Sequence, residues 1–443
     1  MRIIKAMYIL ESKRLFNKRN ILLYLLVALL ALYFVQIGIN DYKHIINNKK
    51  EFQDFELLKV NQYLNYGQYG SYGFRILFIP SPLNTYFVNS STISELTSNV
   101  DAGERLKIYN SFKGRRLFAE KSGGFKDFSG IMLLLGSLLV LYFGYESMIS
   151  KDYLRFMHGF TSDRRLFFCV VFSRMVIIFF LFLFTAVISW LFLVFNNIRL
   201  TPNDYTHMAI YLGILMLMLV FFFTLGTIAG SFKSRFTGFV ILVVSWFVLV
   251  FLVPGVVSSV TSRRADNMVS NYQLELEKLK VLMDFEKRVY AEMGFTTEEN
   301  IESVREEIES YMENEFKKIQ AFEKKLERQM GKNIRHFQTL SSLFPSTFYL
   351  SASDEISSKG YESFIDFFSY ILELKEKFIR YYINKRYYSD YSKVESFIKD
   401  DQNLFYAKSR VPRVFFKGLL LNLFFIVGLL IISYGRFKRS LRL

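Results

Sequence analysis

The stretch GIMLLLGSLLVLYFGYESMIS (residues 130–150) leads into KDYLRFMHGFTSDRR (151–165) and then into LFFCVVFSRMVIIFFLFLFTAVISWLFLVF (166–195). Each apolar run reaches the roughly 20 residues that a helix needs to cross a bilayer. The polar segment between them has more bases than acids, and short basic loops stay in the cytoplasm. The stretch therefore predicts two spans joined by a cytoplasmic elbow. Both a short elbow helix and an ordinary basic loop fit this charge.

The composition places the chain in the membrane class. Of its 443 residues, 51% are hydrophobic and 18% are aromatic, and the apolar residues are concentrated in long blocks. The formal charge of +16 would suit a nucleic-acid partner, but the excess bases flank the apolar blocks, where they orient a membrane protein. The single cysteine, Cys169, excludes an intramolecular disulfide, and the four histidines show no metal-ligand spacing. We therefore expect contact with the lipid bilayer and none with nucleic acid.

Hydropathy and loop charge predict an all-α polytopic membrane protein with six transmembrane helices and a large, mostly helical extracytoplasmic domain between spans five and six. The elbow, the turn SFKSRF (231–236) and the C-terminal GRFKRSLRL (435–443) are all basic, so both termini are expected in the cytoplasm. The predicted segments are a cytoplasmic interfacial helix (1–20), span one (21–39), an extracytoplasmic segment (40–129), span two (130–149), a cytoplasmic elbow (150–166), span three (167–196), span four (208–230), span five (237–257), an extracytoplasmic helical domain (258–412), span six (414–434) and a cytoplasmic tail (435–443).

The N-terminal segment MRIIKAMYILESKRLFNKRN (1–20) combines an apolar helical face with many bases. This pattern suits a helix that lies in the headgroup region of the membrane. A basic flank that only orients span one fits the same residues.

Interleaved acids and bases characterise the block 258–412, and long loops of balanced charge can be translocated. Helices are predicted over about 265–293 and, after a capping box formed by Thr296 and Glu299, from there to Gly331. A third helix is predicted over 361–387. These helices either grip a partner or substrate or form a solvated cap.

Motifs for enzymatic chemistry are missing from the sequence. It contains no G-x-x-x-x-G-K-[ST] loop for ATP phosphates and no G-x-S-x-G, H-E-x-x-H or kinase signature. Ionisable residues inside spans are few. Glu146 lies near the end of span two and Arg174 lies inside span three, so an ion pair that braces the elbow is one hypothesis. A carboxylate at the water boundary and a snorkelling arginine are the alternative.

The arrangement resembles the membrane subunit of type-2 ABC exporters (ABC-2 permeases), specifically members with large outer insertions. The resemblance is carried by YESMISKDYLRFMHGFTSDRRLFFCVVFSR (145–174), where Glu146, Gly159 and Arg174 match an acid at the end of span two, an elbow glycine and a base in span three. The segments IPSPLNTYF (79–87) and LFPSTFYLSASDEISSKGYESF (343–364) are similar to those of the same members. The elbow departs from the pattern because it lacks a second acid shortly before the glycine.

The resemblance implies a multi-pass permease of the cell membrane that works as a dimer with a second copy or a paralogue. It implies no cofactor in this chain and no enzymatic activity of its own, because ATP and Mg belong to a separate ABC ATP-binding subunit. That subunit would dock on residues 147–165. The ATPase-coupling residues implied are Glu146, Lys151, Arg155, Gly159, Arg164 and Arg165.

Two other functions remain open on the sequence. One is a non-transporting membrane scaffold or sensor whose 258–412 domain binds an outer partner. The other is an ion-efflux ABC subunit, which shares the expected fold and differs only in cargo. A scaffold needs no contact with a cytoplasmic ATPase. The role of the elbow therefore distinguishes the scaffold hypothesis from the two transporter hypotheses.

Overall fold

The computed structural model describes residues 2–87, 97–101, 127–149, 151–159, 161–266, 301–388, 394–398, 402–412 and 414–442, together with Leu276, Lys280, Met283 and Asp284. The chain is mostly helical. Its elements are α1 (Arg2–Leu15), α2 (Lys18–Asn61), α3 (Tyr66–Tyr72), β1 (Phe74–Ile79), β2 (Thr97–Val100), α4 (Phe128–Ile149), α5 (Lys151–His158), α6 (Asp163–Phe195), α7 (Pro202–Gly230), α8 (Arg235–Thr261), α9 (Ile301–Ser341), α10 (Pro345–Ile356), α11 (Tyr361–Tyr388), β3 (Leu404–Tyr406) and α12 (Val414–Arg442).

Six helices in the described part of the chain are long and apolar enough to cross a bilayer. They are α2, α4, α6, α7, α8 and α12, and they contain spans one to six in that order. This finding fits a multi-pass membrane protein. Spans one, five and six bury the smallest shares of their apolar windows, at 33%, 17% and 22%. Such exposure suits helices that face lipid or another chain.

Contacts between distant segments define one end of the bundle. The Tyr145 hydroxyl donates to the Arg235 carbonyl at 2.7 Å, which joins the end of α4 to the start of α8. The Arg436 guanidinium lies 3.9 Å from the centre of the Phe232 ring. The elbow helix α5 follows α4 at the same end, which is called the elbow end below.

The first helix of the bundle, α2, is much longer than the predicted span one. The sequence predicts that span one covers 21–39 and is followed by an extracytoplasmic segment over 40–129, whereas α2 continues without interruption to Asn61. Residues 40–61 contain no glycine or proline, so nothing in that interval stops helix propagation. The predicted tail after 434 is also helical, since α12 continues through Gly435 to Arg442.

A three-stranded sheet joins the two polar blocks, and its end of the bundle is called the sheet end below. The central strand β1 pairs antiparallel with β2, with Phe74 opposite Val100, and parallel with β3, with Leu77 opposite Leu404. Because β3 comes from the block 258–412, the blocks that flank spans two to five share one sheet and one aromatic core. Gly73 enters β1 at a φ of 60°, and a Cβ there would lie 1.8 Å from the Val100 carbonyl oxygen.

The helices of the second polar block differ from the prediction at one point. The predicted helix end at Gly331 is wrong, because α9 passes through this residue and ends at Ser341, four residues before Pro345. A Cβ at Gly331 would meet only the Ile365 side chain, at 3.8 Å, so the site does not require glycine. The predicted helix over 361–387 is present as α11. The capping box of Thr296 and Glu299 lies outside the described residues, as does most of 265–293.

The short helix α10 packs among the spans. The Tyr349 and Tyr211 hydroxyl oxygens lie 2.6 Å apart, which joins α10 to span four. On the other side, Asn422 of span six donates from Nδ2 to the Ser342 carbonyl at 3.1 Å, in the turn that joins α9 to α10. The α9–α10 turn (residues 342–344) therefore lies between spans four and six.

Glycines bring spans two and four into close contact. An ideal Cβ on Gly226 would lie 2.1 Å from the Leu141 carbonyl oxygen, and one on Gly144 would lie 2.2 Å from the Phe223 carbonyl oxygen. Small residues let backbones approach in this way where helices associate in a bilayer. Span two is also the most deeply buried span, at 78% of its apolar window.

The junction of α10 and α11 buries a carboxyl group. Glu355 is 0% exposed, and its oxygens accept hydrogen bonds from the amides of Tyr361 at 3.0 Å and Glu362 at 3.2 Å. Burial, reinforced by the negative charge of Glu362, raises the pKa of Glu355 from 4.5 to about 8.

This pKa predicts that stability falls as pH rises. Between pH 4.5 and about pH 8 the folded state keeps a proton on Glu355 that the unfolded state releases. The contribution of this protonated group to the free energy of unfolding is therefore complete below pH 4.5 and is lost as the pH rises through about 8. Thermal unfolding of the purified protein across that window should show the slope, and Glu355→Gln should reduce it. Glu373→Gln, at a largely exposed position on α11, is the matched control and should keep it. A Glu355→Gln protein with the wild-type slope would contradict the assignment.

A candidate coupling site at the elbow end

The N-terminal helix α1 presents one carboxylate to the bundle. Glu11 is 0% exposed and lies four residues before Leu15, which is 2% exposed, so both side chains are on the face that packs against span three. Arg14 approaches Glu11 from the more open side, with its Nη1 2.8 Å from Oε1. The helix is thus attached to the bundle by a polar contact as well as by apolar packing.

Arg174 of span three is the buried ion-pair partner of Glu11. The Arg174 side chain is 0% exposed, and its Nε donates to Glu11 Oε2 at 2.7 Å. Its Nη1 donates to the Phe143 carbonyl of span two at 3.0 Å. A buried guanidinium needs such partners, because an unpaired charge away from water is very costly. One arginine therefore joins α1, span two and span three.

Glu146 of span two lies beside this pair. Its Oε2 is 3.8 Å from Arg174 Nη1, at the long end of ion-pair distances, and it accepts a hydrogen bond from Asn20 Nδ2 at 3.0 Å. Its Oε1 is 3.5 Å from Arg19 Nη2. The structure thus places Glu146 beside Arg174, as the brace hypothesis requires, but Glu11 is the closer partner of Arg174. The role as a brace stays a prediction.

These residues form one group, called the elbow-end ionic cluster below: Glu11, Arg14, Arg19, Asn20, Glu146 and Arg174. The cluster connects α1, the start of span one, the end of span two and the first third of span three. It lies beside the elbow, because α5 begins five residues after Glu146. A displacement of the elbow would therefore act on four connected segments.

The elbow itself is an amphipathic helix with one face on the bundle. In α5, Leu154 is 1% exposed and Met157 is 7% exposed, whereas Phe156 is exposed. The helix packs against α6 and α12. His158 pairs with Asp163 across the turn into span three. The alternative of an ordinary loop is thus replaced by a short anchored helix.

The implied coupling residues lie in four different places. Gly159 is exposed in the turn after α5, and its amide donates to the Phe156 carbonyl at 3.2 Å. Arg164 and Arg165 are exposed in the first turn of span three. The backbone of Lys151 and Arg155 lies in α5, but their side chains lie outside the described part of the structure. Glu146 belongs to the ionic cluster instead of the exposed surface.

Glu11 is the residue that the sequence analysis missed. A signal was present, because Glu11 is the only acid in residues 1–20 and falls on the apolar stripe of α1. A carboxylate in such a place requires a cationic partner. Arg174, the base inside span three, was the available partner.

The sheet end holds a second group of buried polar contacts. Ser81 donates from its amide to Ser358 Oγ at 2.6 Å and from its hydroxyl to Asp204 Oδ1 at 3.2 Å. The Ser409 hydroxyl donates to Ser81 Oγ at 2.9 Å. These bonds connect the segments 79–87 and 343–364, which carry part of the family resemblance.

Comparisons with protein families, curated proteins and solved structures find no match to this chain.

Proposed function

We propose that this chain is the membrane-spanning permease subunit of an ATP-driven exporter of the ABC-2 type. In this proposal two permease chains form the translocation path, and a separate ATP-binding subunit docks on residues 147–165 at the cytoplasmic face. The N- and C-termini are on that face of the cell membrane. ATP and Mg are held by the partner, in keeping with a sequence that has no phosphate-binding loop of its own.

The elbow-end ionic cluster is the observation that supports the proposal most. A subunit that is driven from outside needs a surface to push on and a connection from that surface to the spans. The anchored helix α5 with exposed Arg164 and Arg165 beside it offers the surface. Arg174, bonded to Glu11 and to the Phe143 carbonyl, offers the connection.

A scaffold or sensor is the second candidate, and the sheet-end domain favours it. That domain has its own sheet and aromatic core, as a receptor for an outer partner would. A scaffold or sensor function gives no role to the ionic cluster or to the exposed basic residues at the elbow. For this reason the permease is preferred. The ion-efflux ABC subunit differs from it only in cargo.

Charge reversal at the elbow tests the permease proposal. We expect Arg155→Glu and Arg164→Glu each to weaken recruitment of the ATP-binding subunit by about tenfold, because each loses an attraction and gains a repulsion. The amount of that subunit that co-purifies with the tagged chain is the measurement. Arg199→Glu is the control, since Arg199 is exposed at the sheet end. Normal recruitment by both elbow variants would count against the assignment.

A further inference from the structure

Two segments at the elbow end carry bases and no acids. The α7–α8 turn is SFKSRF (231–236), and the end of α12 with the last residue of the chain is GRFKRSLRL (435–443). Together they contain six bases. Five of these have side chains that the structure describes, and they are called the basic patch below: Lys233, Arg235, Arg436, Lys438 and Arg439.

Two aromatic contacts fix the position of this patch. The Arg436 guanidinium lies over the Phe232 ring, 3.9 Å from its centre, which joins the end of α12 to the α7–α8 turn. Phe437 is buried against Phe167 of span three, with ring centres 5.4 Å apart. Because successive residues of a helix are about 100° apart, Arg439 lies on the side opposite to Phe437, and it is exposed. The basic patch therefore faces away from the bundle.

The basic patch lacks the neutralising acids that the elbow-end ionic cluster has. In that cluster, Arg174 is paired with Glu11 at 2.7 Å. In the part of the chain that the structure describes, the bases of the patch other than Lys233 form no ion pair with a carboxylate. Like charges on neighbouring segments repel each other, and an anion placed between them removes that repulsion. The patch therefore favours a partner with negative charge.

An exposed apolar stripe begins directly beside the patch. It consists of four side chains of span five: Phe236, Phe239, Val243 and Phe247. Their spacing of three and four residues places them on one face of the helix. At 1.5 Å of rise per residue the stripe is roughly 16 Å long, and half of the hydrocarbon core of a bilayer is about 15 Å thick. The stripe therefore has the length of an acyl chain in one leaflet.

We propose that the basic patch binds the phosphate of an anionic phospholipid, with an acyl chain of the same lipid along the Phe236–Phe247 stripe. Arg235 and Phe236 are consecutive residues, so the headgroup and the chain of one lipid molecule meet the protein at the same place. General contact with a bilayer needs only apolar spans, whereas this site selects a lipid by its charge. The proposal stands whether or not the protein is a permease subunit.

An acidic protein surface is the other partner that the charge alone would allow. Such a surface would neutralise the bases, but it would stay outside the bilayer and would not cover the stripe. Among the described residues, span five is one of six helices apolar enough to cross a bilayer, and only 17% of its apolar window is buried. One phospholipid covers both the bases and the stripe. The continuity of the two surfaces therefore favours the lipid.

Lipid binding to the purified full chain tests the site. Native mass spectrometry of the protein in detergent gives the dissociation constants of phosphatidylglycerol and phosphatidylcholine with identical acyl chains. We expect phosphatidylglycerol to bind at least about tenfold more tightly than phosphatidylcholine. Each base near an anionic lipid contributes a factor of roughly five in affinity. Arg235→Gln combined with Arg439→Gln should therefore weaken phosphatidylglycerol binding roughly 30-fold and leave phosphatidylcholine binding unchanged.

Two further double variants make the test specific. Arg199→Gln with Lys417→Gln removes the same charge from exposed positions after span three and at the start of span six, and phosphatidylglycerol binding should not change. Arg235→Lys with Arg439→Lys keeps the charge of the patch. Because the attraction depends on charge, this variant should retain the wild-type affinity to within about threefold.

Three results would overturn the proposal. Unchanged phosphatidylglycerol binding in the glutamine variant of the patch would show that the patch holds no lipid. An equal loss in the Arg199 and Lys417 control would show that the total charge of the protein attracts the lipid, with no site at the patch. A loss in the lysine variant as large as in the glutamine variant would show that the charge of the patch is not what binds.

Discussion

Arg174→Leu is expected to lower the free energy of unfolding by about 3–5 kcal/mol, because it leaves the buried carboxylate of Glu11 without its partner. The two side chains are both 0% exposed and are joined at 2.7 Å. Denaturant unfolding of the purified protein in detergent gives the measurement. Hydrogen exchange should show at the same time that the amides of α1 lose protection, since the helix loses its polar attachment to span three.

Arg19→Leu is the matched control for this variant. Arg19 also lies near an acid, 3.5 Å from Glu146, but its side chain is 63% exposed. An exposed pair of this kind contributes less than about 1 kcal/mol. The double variant Glu11→Leu with Arg174→Leu should be more stable than Arg174→Leu alone, because no buried charge is left unpaired. Equal losses in Arg174→Leu and Arg19→Leu would show that the ion pair is not buried as described.

The second large effect is expected from Gly226→Ala. The added methyl group would lie 2.1 Å from the Leu141 carbonyl oxygen, a backbone atom that cannot rotate away. Spans two and four would have to separate along their contact. The cost should be about 3 kcal/mol, at the upper end of what overpacking usually costs. The yield of monodisperse protein and its unfolding free energy give the measurement.

Gly213→Ala makes the same change on the same helix and separates packing from helix propensity. A Cβ at Gly213 would have nothing within 4 Å. Alanine is the better helix former by roughly 0.5–1 kcal/mol, so this variant should be as stable as the wild type or slightly more stable. If Gly226→Ala behaves like Gly213→Ala, the close contact between spans two and four does not exist.

The six spans could be predicted from the sequence because the bilayer imposes a length and an apolar composition on each one. Each of the six observed helices begins or ends within a few residues of its predicted span. The far end of α2, which lies well beyond the predicted end of span one, shows the limit of this argument. Hydropathy marks where a helix leaves the apolar layer. The end of the helix at Asn61 depends instead on local sequence and on contacts such as the hydrogen bond that the Arg75 amide donates to Glu56.

The sheet could not be predicted in the same way. β1 has six residues and β3 has three, and they pair although more than 300 positions of sequence separate Leu77 from Leu404. No local periodicity carries information about such a pairing. The glycine at 331 was misleading for the opposite reason, because a residue type that often ends helices is tolerated inside a helix that tertiary contacts stabilise.

The candidate site was found in part from the sequence. Glu146 and Arg174 were identified as a pair because ionisable residues are rare in apolar runs. That argument does not reach Glu11, because this residue lies in a segment rich in bases and outside the apolar runs. The structure shows why the acid matters, since Glu11 Oε2 accepts a hydrogen bond from the buried Arg174 Nε at 2.7 Å.

The permease account is tested most directly by purifying the tagged chain in a mild detergent from its native membrane and identifying what co-purifies. The account predicts one soluble protein in stoichiometric amount that carries a G-x-x-x-x-G-K-[ST] loop, together with a second permease chain. Recovery of an outer or envelope protein, with no such ATP-binding protein, would contradict it and would favour the scaffold or sensor.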